Sequence, residues 1–223
     1  MSPRQWLGTT STAFATAANW VQASTPVNTD EVYFDENSAG TGGCAGSDQS
    51  AISLDSFTVK MTNPYAVGTN GTPLKIGSTL WDIGLPSQSA TMAGGSGRIN
   101  LDGHTVASTW YLRNTAQSST DTGKEPGRIK ATNAANIAYI SGGRWGIATD
   151  AIGDTAQFAT INVTGSPIVT LGEGLTLATL NIDGGDTTVK NTVTTVSHRA
   201  GNITTIGDYT IKTFSASAAG AVS

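Results

Sequence analysis

The sequence predicts an all-β fold: a β-solenoid or β-helix-like stack of short coils, about 16–19 residues each, with a small irregular N-terminal segment and assembly as a trimeric prism. Three observations predict it. First, a short β-phrase recurs toward the C-terminus. Phe158-Ala-Thr-Ile161-Asn-Val163-Thr-Gly165 returns as Leu177-Ala-Thr-Leu180-Asn-Ile182-Asp-Gly184, with weaker copies at Val193-Thr-Thr-Val196 and Ile211-Lys-Thr-Phe214. Their starts step by 19, 16 and 18 residues, too short for a unit containing a helix. Second, only 13% of residues are charged and 27 are glycine, with Ser, Thr and Asn filling much of the rest. That composition suits β-branched strands joined by tight turns, and not disorder, which needs higher charge. Third, no helical period is visible from Arg128 onward.

The elements follow in order. Residues 1–47 form a distinct irregular segment in which short apolar clusters alternate with turn residues: Trp6-Leu-Gly8, Phe14 to Val21, Pro26 to Asn28 and Asp30 to Asp35. Val32 to Phe34 reads as a strand, and Phe14 to Val21 as one helical turn placing Phe14 and Trp20 on a common small core. Residues 48–130 read as irregular β coils with long loops. Ala51 to Met61 alternates as a half-buried strand, followed by Leu74 to Ile76, Leu80 to Ile83, Arg98 to Leu101 and Ser108 to Leu112. The Gly-, Ser- and Thr-rich stretches 61–73, 85–97 and 114–127 read as inserted loops. Residues 131–223 read as regular coils, each with a second arm such as Ile168 to Leu171, Thr188 to Lys190 or Ile203 to Ile206. Such thin coils leave exposed sheet edges, and the tail Ser215 to Ser223 is a poor cap, so self-association is expected, as a trimer.

Several function classes find no support. A net charge of −4 with scattered Lys and Arg offers no nucleic-acid patch. No run of 18 apolar residues would span a membrane, and the start, Met1 to Trp6, carries no secretory signal pattern, so synthesis in a cytoplasm is expected. Cys44 is the one cysteine and reads as a bystander thiol. No cofactor, metal site or catalytic site is expected. His104 and His198 lack ligand spacing and read as surface or corner residues. Asp183 and Asp186 flank a Gly-Gly corner, where Asp stabilises turns; Asp102, Asp150, Asp154 and Glu173 also lie close to Gly. Gly94 to Gly97 lacks the lysine of a phosphate loop.

The N-terminal pattern Trp6-x-Gly8…Phe14-x-Thr-Ala-Ala-Asn19-Trp20…Pro26-x-Asn28-x-Asp30-x-Val32-x-Phe34 resembles an element that precedes β-solenoid passengers of bacterial surface proteins. Together with the strand through Asp48, Ala51 and Leu54 and the later coils, it resembles small virion proteins of tailed bacteriophages, the capsid decoration (cement) and head-fibre proteins. The resemblance covers about residues 4–59 and 137–214. It implies a non-enzymatic structural protein on the outside of the virion's capsid, made in the host cytoplasm, whose partners are the major capsid protein and further copies of itself. In that reading residues 1–47 anchor the capsid, with Trp6, Phe14, Trp20, Asp30, Val32, Tyr33 and Phe34 in or beside the grip. The alternative for these aromatics is that they only cap the first coil. A competing reading is a carbohydrate-binding or adhesive tip stacking sugars on Trp110, Tyr111, Trp145 and Tyr209; a polysaccharide depolymerase stands third.

Overall fold

The computed structural model describes residues 2–36, 43–60, 63, 66–69, 71–85, 99–114, 127–149, 155–207, 211–216 and 221–222. A single 3-10 turn, Ala17–Asn19, stands where the helical turn was expected. All other regular structure among the described residues is strand: β1 (Pro3–Gln5), β2 (Glu31–Phe34), β3 (Asp48–Val59), β4 (Leu74–Leu85) and β5 (Ile99–Gly103). Next come β6 (Thr109–Asn114), β7 (Gly127–Ala131), β8 (Ile137–Ile140) and β9 (Arg144–Ile147). The C-terminal strands are β10 (Ala156–Leu171), β11 (Leu175–Val189), β12 (Val193–Thr205), β13 (Ile211–Ala216) and β14 (Ala221–Val222). Each repeated phrase and its expected second arm form one long strand rather than two, because the intervening glycines turn the chain and the pairing resumes after a local shift in register. Gly165, Gly184 and Gly201 do this with positive φ, a region open to glycine and costly for other residues.

Every pairing between these strands is parallel. The phrase starts stand opposite one another, Phe158 to Leu177, Leu177 to Val193 and Val193 to Ile211. The architecture nevertheless differs from the expected open stack. Seven strands close a ring, β4–β5–β7–β9–β10–β8–β6 and back to β4. The β-solenoid expectation is therefore corrected: the core is a closed seven-stranded parallel barrel with extra strands, and the open trimeric prism falls with it. Closure comes from two long strands that each serve both sides. β4 pairs β5 through Leu74–Ile76 and β6 through Leu80–Leu85, while β10 pairs β8 through Thr160–Val163 and β9 through Ile168–Leu171. A repeat spacing reports which residues become parallel neighbours; it carries no information on where the sheet closes. β1, β2 and β3 extend the sheet beyond β4, and β11 to β14 extend it beyond β10.

Alternation along the strands sends one set of side chains inward. Val32, Phe57, Trp81, Trp110, Ala138, Ile161, Leu180 and Val196 occupy one continuous register row, all buried. Large rings fill it at the N-terminal side and aliphatic groups at the other. Ring contacts run on from Phe34 to Phe57 at 5.5 Å, Phe57 to Trp81 at 5.0 Å and Trp81 to Trp110 at 4.3 Å and 4° between planes. Burying a Phe side chain contributes about 1.5–3 kcal/mol, and each well-placed aromatic pair about 0.5–1.5 kcal/mol more. The indoles need room, and glycine provides it. A methyl built on Gly103 would overlap the six-membered ring of Trp110, and one on Gly127 that of Trp145.

Candidate functional site

The N-terminal residues expected to grip a partner are gathered into one cluster, but it faces inward. Trp6, Phe14, Trp20, Val32 and Phe34 are buried. Trp20 lies edge-on to both Trp6 and Phe14, each at 5.0 Å, and Trp6 meets Phe34 at 5.6 Å. Trp20 Nε1 donates to the Phe14 carbonyl at 2.9 Å. Asn19, also buried, holds the preceding loop with its whole amide. Its Oδ1 accepts from the Thr10 and Ser11 N–H groups, both at 3.0 Å, and its Nδ2 donates to Ser11 Oγ and the Ala13 carbonyl. Asp30 is buried beneath the neighbouring loop, where its carboxylate accepts from Arg4 Nε at 2.7 Å and from the Val27 N–H at 3.0 Å. Asp35 is held similarly by Gln5 Nε2 and lies 3.6 Å from Lys60 Nζ. Of the expected anchors only Tyr33 reaches solvent, half-buried, with Lys60 Nζ 5.6 Å from its ring centroid. The surface of this segment is instead carried by residues the sequence did not single out, Val21 and Val27, 49% and 54% exposed.

The outward rows form a second candidate surface. One row reads Gln5, Tyr33, Thr58, Asp82, Tyr111, Tyr139, Asn162, Asn181, Ser197 and Ser215 across successive parallel strands. Beside it, two residues earlier on each strand, runs Leu80, Thr109, Ile137, Thr160, Thr179, Thr195 and Thr213. Tyr111 and Tyr139 are exposed and stack at 5.3 Å with 16° between planes. Asp82 lies next to Tyr111 in register and is ion-paired with Arg113. Asn162, on the other side of Tyr139, donates to the Ala138 carbonyl and accepts from Asn181 Nδ2 at 2.9 Å. Of the four expected sugar-stacking aromatics, Tyr111 is therefore the exposed one; Trp110 and Trp145 are buried in the barrel and Tyr209 lies outside the described residues. Tyr139 was missed because its place beside Tyr111 depends on a pairing across a long insertion.

The remaining chemistry-bearing residues have structural duties. Asp183 accepts from Arg199 at 2.8 Å and Asp186 from Asn202 at 2.7 Å, each tying β11 to β12. His198, expected at the surface or at a corner, is not at the surface but lies beside the turn at Gly201. It aligns with Ile182 in an inward row, fully buried, with Nε2 3.1 Å from the Gly201 carbonyl. His104 is half-buried. Burial pushes the Cys44 thiol far above its usual range, which keeps it protonated. Gly94 to Gly97, Asp150 and Asp154 lie outside the described residues. Among the described residues no three His, Cys, Asp or Glu side chains are grouped to hold a metal ion, and no helix is long and apolar enough to cross a membrane. No family model, curated protein or solved structure matches the chain.

Proposed function

We propose that the chain is a structural virion protein of the capsid decoration kind, which binds the outside of a major capsid shell and stiffens it without catalysis. The observation that supports this reading is the way the N-terminal motif folds. The residues that carry the resemblance account for one another as a unit: Trp6, Phe14, Trp20 and Phe34 pack together, Asn19 ties its loop, and Asp30 holds Arg4 and Val27. This unit is joined to the barrel through Phe34, Phe57, Trp81 and Trp110 without a hinge in the ring series. Load applied at the N-terminal segment would pass into a closed sheet rather than into a linker, as cementing a shell requires. The gripping surface in this proposal is the exposed side of the segment, with Val21, Val27 and Tyr33, and further copies of the chain supply avidity.

The test is co-sedimentation of the purified chain with particles of the virus that encodes it, stripped of their outer proteins. Stoichiometric binding is expected, with Val21→Asp/Val27→Asp binding at least tenfold more weakly while keeping its circular dichroism spectrum. Particles that neither contain nor recruit the chain would overturn the proposal. Molar mass in solution checks the self-association separately.

A further inference from the structure

We infer that the outward face of β4, β6, β8 and β10 is a binding site for a neutral polysaccharide, centred on Tyr111 and Tyr139. The site is independent of the capsid-binding proposal. Its argument starts from the two rings. They sit on adjacent strands, opposite each other in register, and remain 40% and 42% exposed. At 5.3 Å and 16° the rings overlap only partly, so each shields its neighbour while leaving ring surface open to solvent. The backbone beneath them is paired on both sides, β6 with β4 and β8, and β8 with β6 and β10. The platform is thus already ordered, and a ligand landing on it does not have to freeze a loop.

The surroundings narrow the ligand class. Leu80 and Ile137 flank the rings in the neighbouring outward row, which extends the apolar area along the sheet. Around that centre lie hydroxyl and amide groups, Thr109, Thr160, Asn162 and Asn181, again in register. Beside the rings, among the described residues, Asp82 and Arg113 form an ion pair that compensates itself. A ligand complementary to this face has apolar C–H surfaces the size of an aromatic ring, hydroxyls around their rim, and a repeat that spans several strands. A chain of neutral pyranose sugars meets all three requirements. Among the described residues beside the rings a charged polymer meets only the compensated pair.

The experiment is affinity electrophoresis of the full chain in native gels cast with a panel of neutral polysaccharides (α- and β-glucans, mannans, galactans and xylans), alongside an acidic polymer. Retardation by at least one neutral polymer is expected. In that gel Tyr111→Ala and Tyr139→Ala should each bind at least about tenfold more weakly, while Tyr111→Phe and Tyr139→Phe, which keep the ring, should retain most of the binding. Because these side chains lie on the outer face of the sheet, each variant should keep the parent's circular dichroism spectrum and a cooperative unfolding transition, which separates lost binding from lost folding. Failure of every neutral polymer to retard the chain, equal retardation of the Ala variants, or retardation by the acidic polymer alone would overturn the inference. So would a fall in molar mass on Tyr139→Ala, which would make the face a contact between copies. Absence of capsid binding would leave the site untouched.

Discussion

Gly103→Ala should destabilise the protein because Trp110 fills the space its methyl would need. Gly103 ends β5 and is buried, and its neighbour across the interior is the six-membered ring of Trp110, itself fully buried and stacked on Trp81 at 4.3 Å. Overpacking of this kind costs about 1–3 kcal/mol. The backbone of Gly103 is not among those with positive φ, so the cost comes from the ring and not from the chain. For a chain of this size each kcal/mol moves the melting temperature by about 2–4 °C, so a fall of roughly 2–12 °C is expected. Trp110→Leu supplies the control. It removes the ring, leaves a cavity and loses the Trp81 stack, itself costing about 2–4 kcal/mol. In that background the added methyl enters vacant apolar space, worth about 0.8 kcal/mol per carbon buried, and the unfolded chain loses glycine's extra freedom. Gly103→Ala should therefore be neutral or stabilising there, giving a coupling of about 1–4 kcal/mol in a double-mutant cycle read from denaturant midpoints at equal m-values. Equal cost in both backgrounds would refute the packing argument.

Three further outcomes are expected. Asn19→Ala removes all four hydrogen bonds that pin the loop at 10–13 and should cost about 2–4 kcal/mol, read as an earlier thermal transition. The Asp48 carboxyl is lowered from 3.8 to about 2, first by the Ser50 side chain, then by the Ser50 N–H and by Lys75. A carboxylate depressed in the folded state contributes stability that is complete above its ordinary value and disappears as pH falls toward about 2; the melting-temperature difference between the parent and Asp48→Asn should shrink across that window. Cys44 should react with a thiol reagent only at the rate of unfolding, since its side chain is buried; fast modification of the native protein would contradict its placement.

Strand identity and register were legible in the sequence, and closure was not. The Phe158 and Leu177 phrases align because matching apolar positions must face the same interior, and a slip by one residue would turn them all outward. Ring closure depends on β5, β7 and β9, which pair across long insertions with no repeat to announce them. The inward turn of Trp6, Phe14 and Trp20 was open to either reading, because an interface anchor and a core aromatic share residue type and spacing. The burial of His198 was hidden for a related reason. Its neighbours Ser197 and Arg199 suggest an exposed corner, yet strand alternation places it in line with Ile182.

The two aromatic populations of this fold answer different questions. The N-terminal and barrel rings are fully accounted for by burial, so substituting Trp6 or Trp81 reports on folding whatever the protein binds. Tyr111 and Tyr139 gain only a partial mutual contact in return for exposing ring surface to water. Around the pair the outward row carries Gln5, the half-buried Tyr33, Thr58 and Asp82 on one side and Asn162, Asn181, Ser197 and Ser215 on the other. Two adjacent exposed rings interrupt that row, at the one place where Leu80 and Ile137 also interrupt the neighbouring threonines. Folding gains little from either interruption, and their coincidence on one patch is what a ligand-facing surface would require.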